Sequence, residues 1–333
     1  MPGDVTLLHE SGVATVRELD DGRRRISVEP VDARVFVPRR KWETRYSLDL
    51  IEHVLEVKGV GGLCNEIARD ESDSMVALYL HHGLLSYLPP EAFRGKRLLD
   101  FGSGSGASTL VLARMFPEAE IVGVELDSRL IELARHRADF HRAANVRFEV
   151  SPGPDSLPPG FGSFDFLVLS AVWEHLLPNE RPTLLPRLWR TLGKDGVLFL
   201  NQTPHRWYPI ERHTTGLPLL NYAPAPLAHW AAIRFSRKRR ADASWEELLR
   251  RGIRGGTARE VLRILERAGD GEPVLLQPSR LDARDPIDIW YAYSQRLAPM
   301  PIKARMRDVF KLISRLTRST FAPGIDIAIE KRA

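Results

Sequence analysis

One segment of this 333-residue chain has glycines and carboxylates at the spacing of a nucleotide-cofactor site. Asp100 comes just before Gly102, Gly104 and Gly106, which follow a short apolar run and precede a helical pattern. Glycines at such a junction let the backbone approach a ligand closely, and the helix N-terminus offers unpaired N–H groups. Glu125 ends the next apolar run, about twenty residues later, where a carboxylate can accept both ribose hydroxyls. The pattern predicts a site for an adenosine cofactor.

Two classes of cofactor fit this glycine pattern. Gly102, Gly104 and Ala107 also satisfy the Gly/Ala form of the dinucleotide fingerprint. Asp100 separates the two classes, because its carboxylate would face a pyrophosphate unfavourably but would favour a cationic, amino-bearing ligand. The loop also lies deep in the chain after a helical lead-in, whereas dinucleotide domains often begin with it. Asp127 is interpreted as the N-cap of the next helix.

Histidines could supply acid–base chemistry near this site, because an imidazole can accept a hydroxyl proton near neutral pH. Residues 203–214 concentrate histidine, glutamate, arginine and aromatic side chains, a mixture suited to polar rings or sugars. We predict that His213 or His205 is the general base and that Glu211 orients it. The competing interpretation is a rigid aromatic loop that only closes the pocket.

Glu174 and His175 form a second chemical pair, directly after a predicted strand. We expect both to face the cofactor pocket, which makes His175 another candidate catalytic residue. Alternatively, Glu174 caps a helix or meets a backbone amide, and His175 packs beneath it. His229, farther along the chain, is a weaker candidate.

Composition limits the class of protein. Hydrophobic residues make up 43% and charged residues 27%, the balance of a globular protein with a packed core, and the length fits one large domain or two ordinary ones. No apolar run reaches the roughly 18 residues that span a bilayer, and a signal-peptide pattern is lacking, so a cytoplasmic location is expected. Cys64 is the only cysteine, which excludes an intrachain disulfide. The net charge of +5 could favour anionic partners, but a solvated basic surface explains it at least as well.

From residue 96 onward, short apolar runs alternate with helical patterns, which predicts a parallel sheet covered on both faces. The predicted strands are 97–101, 121–125, 146–150, 164–169 and 197–200, and the predicted helices are 107–116, 128–143 and 184–192. Ligands of such sheets bind beyond the carboxyl ends of the strands. The glycine loop, Glu125, Glu174 and His175 all fall at such ends, so the fold would bring them together.

The flanking segments have other patterns. Before the sheet, we predict a hairpin of 13–16 and 25–28, a third strand at 34–37, and helices at 47–58, 63–69 and 72–87, the last capped by Ser72. Residues 201–254 are too long for a plain loop and predict an inserted cap. After the cap, we predict helix 257–268, strand 273–277, a basic amphipathic helix 302–318, and a strand 325–330 with one face partly exposed. This organisation divides the chain into an N-terminal extension (1–95), a cofactor-binding core (96–202), a cap (203–256) and the remainder of the fold (257–333).

Four segments resemble motifs of class I S-adenosylmethionine-dependent methyltransferases, in that family's order and spacing. Residues 98–106 resemble its first motif, 122–125 its second strand, 164–176 its fourth strand, and 192–198 the turn before its fifth strand. The resemblance covers about Leu98 to Leu200, and 325–330 is similar to the family's reversed last strand. It implies an α/β, Rossmann-like, mostly parallel seven-stranded sheet with helices on both faces and a reversed last strand. An N-terminal β/helical extension and an inserted cap after strand five would complete this chain.

The same resemblance implies a role for the residues of the glycine loop. S-adenosyl-L-methionine would be the cofactor and S-adenosyl-L-homocysteine the product. The loop, including Ser103, would pack on the amino acid part of the cofactor, and Asp100 would contact that part directly or through water. Glu125 would bind the ribose with Leu126 beside the adenine, and Ser170 would line the methionine side.

The chain departs from the family after its third predicted strand. Gly153 stands at the position of the family's adenine-binding aspartate, and Asp155 is expected to substitute for it. Glu174 and His175 resemble the end of a Glu-x-x-Glu-His segment in some quinone-biosynthesis methyltransferases. Ala171 replaces the first glutamate of that segment, so we expect no metal. Residues 203–214 resemble a segment of methyltransferases associated with glycan biosynthesis, with His205 in place of the usual asparagine.

The function that this resemblance implies is O-methylation of a hydroxyl on a small metabolite or a glycan. The alternatives are N-methylation of a small amine or protein, and a non-catalytic protein that binds the same cofactor. A nicotinamide-dependent oxidoreductase fails mainly on Asp100. No nucleic-acid partner is expected, because an Asn/Asp-Pro-Pro-Tyr motif is lacking. Residues 217–240 run from apolar to basic, which would suit a peripheral membrane contact, although a cap helix with a solvated basic end is the simpler interpretation.

Overall fold

The computed structural model describes residues 4–32, 35–71, 74–153, 156–236, 243–295, 301–317 and 319–332. Its first part is an antiparallel sheet of β1 (Val5–His9), β2 (Gly12–Glu18), β3 (Arg24–Pro30) and β4 (Lys41–Thr44), in that order. The predicted hairpin is confirmed within β2 and β3. The predicted strand at 34–37 is wrong, because β4 is the segment that pairs with β3. Val35 and Phe36 lie outside strands and are exposed, so their apolar character does not reflect a buried sheet face.

Two helices connect this sheet to the rest of the chain. Helix α1 (Leu48–Ile67) joins the two predicted helices, with a break at Gly59, whose φ is 64°. Helix α2 (Met75–Leu85) begins after Ser74, whose side chain accepts a hydrogen bond from the backbone N–H of Ala77. Ser72, the predicted cap, lies outside the described residues. The core between α1 and the antiparallel sheet includes Ile26, Leu50 and Leu63, all of which are fully buried.

The described residues after α2 form a seven-stranded sheet with the predicted elements between its strands. The elements are β5 (Arg97–Phe101), α3 (Ala107–Met115), β6 (Glu120–Glu125), α4 (Ser128–His141), β7 (Val146–Val150), β8 (Phe164–Ser170), α5 (Arg181–Thr191), β9 (Leu192–Pro204), α6 (Ala225–Phe235), α7 (Trp245–Arg250), α8 (Ala258–Ala268), β10 (Glu272–Leu275), α9 (Pro286–Gln295), α10 (Pro301–Thr317) and β11 (Gly324–Arg332). The strand order is β10-β11-β9-β8-β5-β6-β7, parallel except where β11 pairs antiparallel with β9 and β10. The predicted fold class is therefore confirmed.

Both faces of this sheet are covered. Leu98 and Leu99 are neighbours on β5 and point to opposite faces, as expected for a strand. The Leu98 cluster packs helices α2, α3, α9 and α10 on one face, and the Leu99 cluster packs α5 and α8 on the other. Helix α9 was not predicted from the sequence. Within the described ranges, no helix combines the length and the apolar character that crossing a membrane requires.

Strand β11 is covered on both faces, so the predicted partly exposed face is wrong. Residues 325–329 are all buried, and among them is Asp326. The backbone N–H of Gln202 donates to Asp326 Oδ1 at 3.0 Å, and the Tyr293 hydroxyl donates to Asp326 Oδ2 at 3.0 Å. Asp326, the polar residue on which the prediction of an exposed face rests, therefore accepts hydrogen bonds in the interior of the protein. Burial raises the pKa of Asp326 to about 6.

We expect the Asp326→Asn variant to be more stable than the wild type at pH 8 and about equally stable at pH 4. Ionisation of the buried carboxyl is unfavourable, so its cost is absent below the unfolded pKa of 3.8, grows between pH 3.8 and 6, and is complete above pH 6. A raised pKa of this size corresponds to on the order of 2–3 kcal/mol at pH 8. Urea unfolding at the two pH values measures the difference.

Asp195→Asn is the matched control, because Asp195 lies exposed in the turn before the apolar part of β9. It should change the free energy of unfolding little at either pH. A stability difference between Asp326→Asn and the wild type that is the same at pH 4 and pH 8 would contradict the prediction.

The insertion after β9 forms the cap. Strand β9 continues to Pro204, beyond the predicted end of the core, and the insertion returns to the sheet at Gly256. We call the place where the insertion leaves and rejoins the sheet, at Pro204 and Gly256, the neck. There the Gly256 N–H donates to the Pro204 carbonyl at 2.9 Å, and the Arg206 N–H donates to the Gly256 carbonyl at 2.8 Å. Helices α6 and α7 build a small core of their own around Ala228. The basic run 237–240 lies outside the described residues.

Candidate functional site

The glycine loop leaves the carboxyl end of β5 with all three glycines in the left-handed region. Their φ angles are 77° at Gly102, 55° at Gly104 and 83° at Gly106. A Cβ on Gly102 would lie 2.6 Å from Val172 Cγ2, and one on Gly106 would lie 2.7 Å from Ala134 Cβ. Both the conformation and the close neighbours therefore require glycine at Gly102 and Gly106.

Two carboxylates flank this loop. Asp100 is buried, and its Oδ2 accepts hydrogen bonds from the hydroxyls of Ser108 at 2.8 Å and Thr109 at 2.7 Å. Glu125 ends β6 and accepts from the Gly104 N–H through Oε2 at 3.0 Å. Burial raises the pKa of Asp100, and the nearby charge of Glu125 raises it further. This pair would stabilise a cationic ligand at the loop and repel a pyrophosphate.

The other predicted cofactor residues lie around the same loop. The N–H groups of Gly102 and Ser103 both donate to the Val124 carbonyl, which ties the loop to β6. Leu126 follows Glu125 and is 49% exposed, an apolar surface at the edge of the site. Asp155, the predicted adenine contact, lies outside the described residues.

The ends of β8 and β9 meet beside the loop in a strained conformation. Ser170 ends β8, and its hydroxyl accepts a hydrogen bond from Gln202 Nε2 at 2.7 Å. Ala171 and Gln202 have φ angles of 55° and 61°, which non-glycine residues rarely adopt. Such strain persists only where the surroundings fix it, and it is concentrated at functional sites. Ser170 thus lies at the carboxyl end of β8, and its contact with the methionine part of the cofactor stays a prediction.

A buried network that sequence analysis missed supports the loop from behind. Arg137 on α4 is fully buried, and it donates to Glu66 on α1 and to both the carbonyl and the hydroxyl of Ser105 in the loop. The Ser105 hydroxyl in turn donates to Glu66. Burial, the largest single effect, would raise the pKa of Glu66, but the charges of Arg137, Arg69 and Lys58 and the hydrogen bond from Ser105 together outweigh it, and the pKa is lowered. The sign of this network in the sequence is a single charged residue on the apolar face of each helix, Glu66 on α1 and Arg137 on α4.

Glu174, His175 and His213 come together after β8. One ligand atom from each, a carboxylate oxygen or a ring nitrogen, lies within 4.8 Å of the others. The rings of His175 and His213 meet edge to face at 5.3 Å, and Glu174 is almost wholly buried. Burial raises the pKa of Glu174 to about 7 and lowers that of His175. Val172, which packs against Gly102, places this cluster next to the cofactor loop.

His205 and Glu211, two of the predicted catalytic residues, both make hydrogen bonds to backbone groups. His205 Nδ1 accepts from the Trp207 N–H at 3.2 Å, and the ring also bonds to the backbone of Thr320. Burial lowers the pKa of His205 to about 4, so its ring is neutral and its accepting nitrogen is already used. We therefore no longer assign His205 as the base.

Glu211 anchors the loop that carries His213. Its carboxylate accepts from the backbone N–H groups of His213 and Thr214, both at 2.9 Å, and from the N–H and hydroxyl of Thr215. These bonds hold the backbone of the loop that carries His213, and the orienting role of Glu211 toward the imidazole stays a prediction. His229 lies in the cap, where its ring bonds to the Ala243 carbonyl.

Comparisons with known proteins find similarity over the central part of the chain. Residues 98–196 match a family model described as a methyltransferase domain. The trans-aconitate 2-methyltransferase of Deinococcus radiodurans is 37% identical over 102 residues, which are 31% of this chain and 36% of that protein. The corresponding enzyme of Methylobacterium radiotolerans is 32% identical over 149 residues, 45% of this chain and 50% of that protein. The chain thus spans half or less of the length of these curated relatives.

Among solved structures, one match is an amino pentose methyltransferase from Micromonospora echinaspora with bound S-adenosylmethionine. It is 26% identical, covers 40% of this chain and 52% of its own, and has a TM-score of 0.31. The strand order above establishes the fold independently of this match.

Proposed function

We propose that residues 98–196, which match a methyltransferase domain, bind S-adenosylmethionine, and that the chain uses this domain to methylate a hydroxyl group on a small metabolite or a glycan. The observation that carries this proposal is the position of His175, His213 and Glu174 beside the glycine loop that holds the cofactor. Methyl transfer to a hydroxyl requires that its proton be taken up, which an imidazole can do near neutral pH.

The reaction follows from this arrangement. The bound cofactor would supply a methyl group activated by its sulfonium, so that an acceptor hydroxyl would become a methyl ether and S-adenosylhomocysteine would remain. The hydroxyl proton would leave at the histidine cluster. Asp100 and Glu125 hold the cofactor by charge and hydrogen bonds, so the chain mainly positions the reacting atoms in line.

Exposed aromatic side chains in the cap support a ring-shaped acceptor. Trp207 and Tyr222 stack at 6.1 Å with 29° between their planes, and about half of each side chain is exposed. Trp230 and Phe235 are also exposed on α6, which supports the proposed contact of 217–240 with a membrane surface. An acceptor carried on a lipid would satisfy both features.

Glu125→Gln tests the cofactor assignment. We expect about tenfold weaker binding of S-adenosylhomocysteine, because the amide keeps the shape of the side chain but loses the charge-assisted hydrogen bonds to the ribose. Isothermal titration calorimetry measures the affinity directly and needs no acceptor. Asp127→Asn is the matched control, since the Asp127 carboxylate accepts hydrogen bonds from the backbone N–H and the guanidinium of Arg129 at the start of α4.

Competition with NAD separates this proposal from an oxidoreductase. Wild-type protein that binds NAD but not S-adenosylmethionine would overturn the proposal. Equal affinities of Glu125→Gln and Asp127→Asn for S-adenosylhomocysteine would remove Glu125 from the site and leave the domain assignment intact.

A further inference from the structure

We propose that Glu174, His175 and His213 form a binding site for a divalent transition metal. Three side chains from two distant parts of the chain present a carboxylate oxygen and imidazole nitrogens that all lie within 4.8 Å of one another. Two imidazoles and one carboxylate are a ligand set that Zn²⁺ and first-row metals such as Mn²⁺ and Fe²⁺ accept. Sequence analysis predicted no metal because Ala171 replaces a glutamate, but the structure supplies His213 from the cap.

The carboxylate of Glu174 is the first reason to infer a cation. Its side chain is fully buried, and Oε1 has no hydrogen-bond partner within the described part of the chain. Only Oε2 is held, by the hydroxyl of Thr203 at 3.2 Å. Arg181, whose charge acts on Glu174 from a distance, donates its own hydrogen bonds to Glu260 and to backbone carbonyls. A buried carboxylate oxygen without a donor is costly unless a cation neutralises it.

The hydrogen bond of His175 leaves the unprotonated ring nitrogen, Nε2, facing Glu174. Its Nδ1 lies 2.7 Å from the Arg250 carbonyl, which can only accept, so Nδ1 carries the proton. The other nitrogen, Nε2, then has a lone pair and lies 3.9 Å from Glu174 Oε1. A backbone carbonyl that fixes the tautomer in this way is the usual outer partner of a metal-binding histidine.

Gly252 lets His213 approach Glu174. A Cβ at this position would lie 2.8 Å from His213 Cδ2 and 2.9 Å from Glu174 Cγ, and the φ of Gly252 is 85°. The Glu211 carboxylate holds the backbone of the His213 loop at the same time. The backbone on both sides of the cluster is therefore arranged to bring an imidazole to a buried carboxylate.

Three protein ligands leave coordination positions for an acceptor. With a metal bound, His175, His213 and Glu174 would serve as its ligands, and the metal would lower the pKa of an acceptor hydroxyl at this cluster, so that the proton would leave there to water. This role rests on the proposed function, whereas the site itself rests only on the geometry above.

Titration with Co²⁺ tests the site. Full-length protein stripped with EDTA should bind one Co²⁺ per chain and develop visible d–d absorption, which Zn²⁺ should abolish by displacement. Glu174→Gln, His175→Gln and His213→Gln should each weaken binding by about 100-fold or more, since loss of even an outer partner costs 10–100-fold. Circular dichroism and thermal unfolding establish that each variant is folded, and Glu174→Gln preserves the volume of the buried side chain.

His136→Gln is the matched control. His136 Nε2 lies 3.1 Å from Asp49, and its Nδ1 lies 3.1 Å from the ring of His53, so this pair is another histidine–carboxylate arrangement near the surface. Its loss should leave the Co²⁺ spectrum unchanged.

The outcomes separate this inference from the proposed function. Folded wild-type protein that binds S-adenosylhomocysteine but shows no Co²⁺ absorption would overturn the metal site alone. Co²⁺ absorption that survives all three cluster variants and disappears in His136→Gln would also overturn it. Normal Co²⁺ binding without any affinity for S-adenosylhomocysteine would overturn the proposed function and leave the metal site standing.

Discussion

Replacing His213 with glutamine is expected to lower the rate of methyl transfer by about 100-fold or more while S-adenosylhomocysteine binds as tightly as before. A group that takes part in proton removal contributes typically 10²–10⁴-fold to the rate. His213 belongs to the cluster with Glu174 and His175, whereas its own backbone is held by Glu211 independently of the side chain. Glutamine therefore keeps the loop and removes the imidazole.

Turnover is measured as transfer of labelled methyl groups to a panel of hydroxylated sugars and phenols. His229→Gln is the control, because His229 lies in the same cap but bonds to the Ala243 carbonyl away from the cluster. Its rate should match the wild type. If His213→Gln retains the wild-type rate on an acceptor that turns over, the cluster takes no part in the chemistry.

Replacing Arg137 with methionine is expected to destabilise the fold by about 3–5 kcal/mol, because removal of one partner leaves a buried charge uncompensated. Arg137 is fully buried and donates to the side chain and carbonyl of Glu66 and to Ser105. Methionine fills much of the same volume but leaves the Glu66 carboxylate with the Ser105 hydroxyl as its main donor. Thermal and urea unfolding measure the loss, and cofactor affinity should fall with it because Ser105 belongs to the glycine loop.

Arg135→Met provides the comparison on the same helix. Arg135 is exposed and makes one hydrogen bond, to the Phe148 carbonyl, so its replacement should cost less than about 1 kcal/mol. Adding Glu66→Gln to Arg137→Met should recover part of the loss, since the unpaired charge is then gone. Equal losses for the two arginine variants would show that the buried pair does not stabilise the fold.

Most of the predicted elements that the structure confirms follow from patterns within a few consecutive residues. The bounds of β5 and β7 and the glycine loop between β5 and α3 follow from apolar runs and glycines that act within a few residues, so a single sequence reveals them. The Arg137–Glu66 pair could not be predicted, because 71 residues separate its members and neither has a local motif. The same limit explains why β11 was interpreted as half exposed: the partner that buries Asp326 lies on another element.

The histidines show where residue type alone misleads. His205 and His213 lie in the same stretch, residues 203–214, and the sequence does not distinguish them. In the structure the His205 ring bonds to the backbone, whereas the His213 ring meets Glu174 and His175. Which of them faces the pocket depends on the turn that Glu211 fixes and on the approach that Gly252 permits. Both are properties of the folded cap rather than of the motif.

The neck at Pro204 and Gly256 bears on how far the cap can vary in length and sequence. The insertion departs and returns at adjacent positions joined by two backbone hydrogen bonds, so its length and sequence impose little on the strands beneath it. The bonds involve backbone atoms only, but Gly255 and Gly256 must be glycine, because a Cβ there would lie 2.0 Å from the Pro204 carbonyl oxygen and 2.4 Å from Trp173. A cap of another sequence that keeps these two glycines can therefore be joined to the same strands.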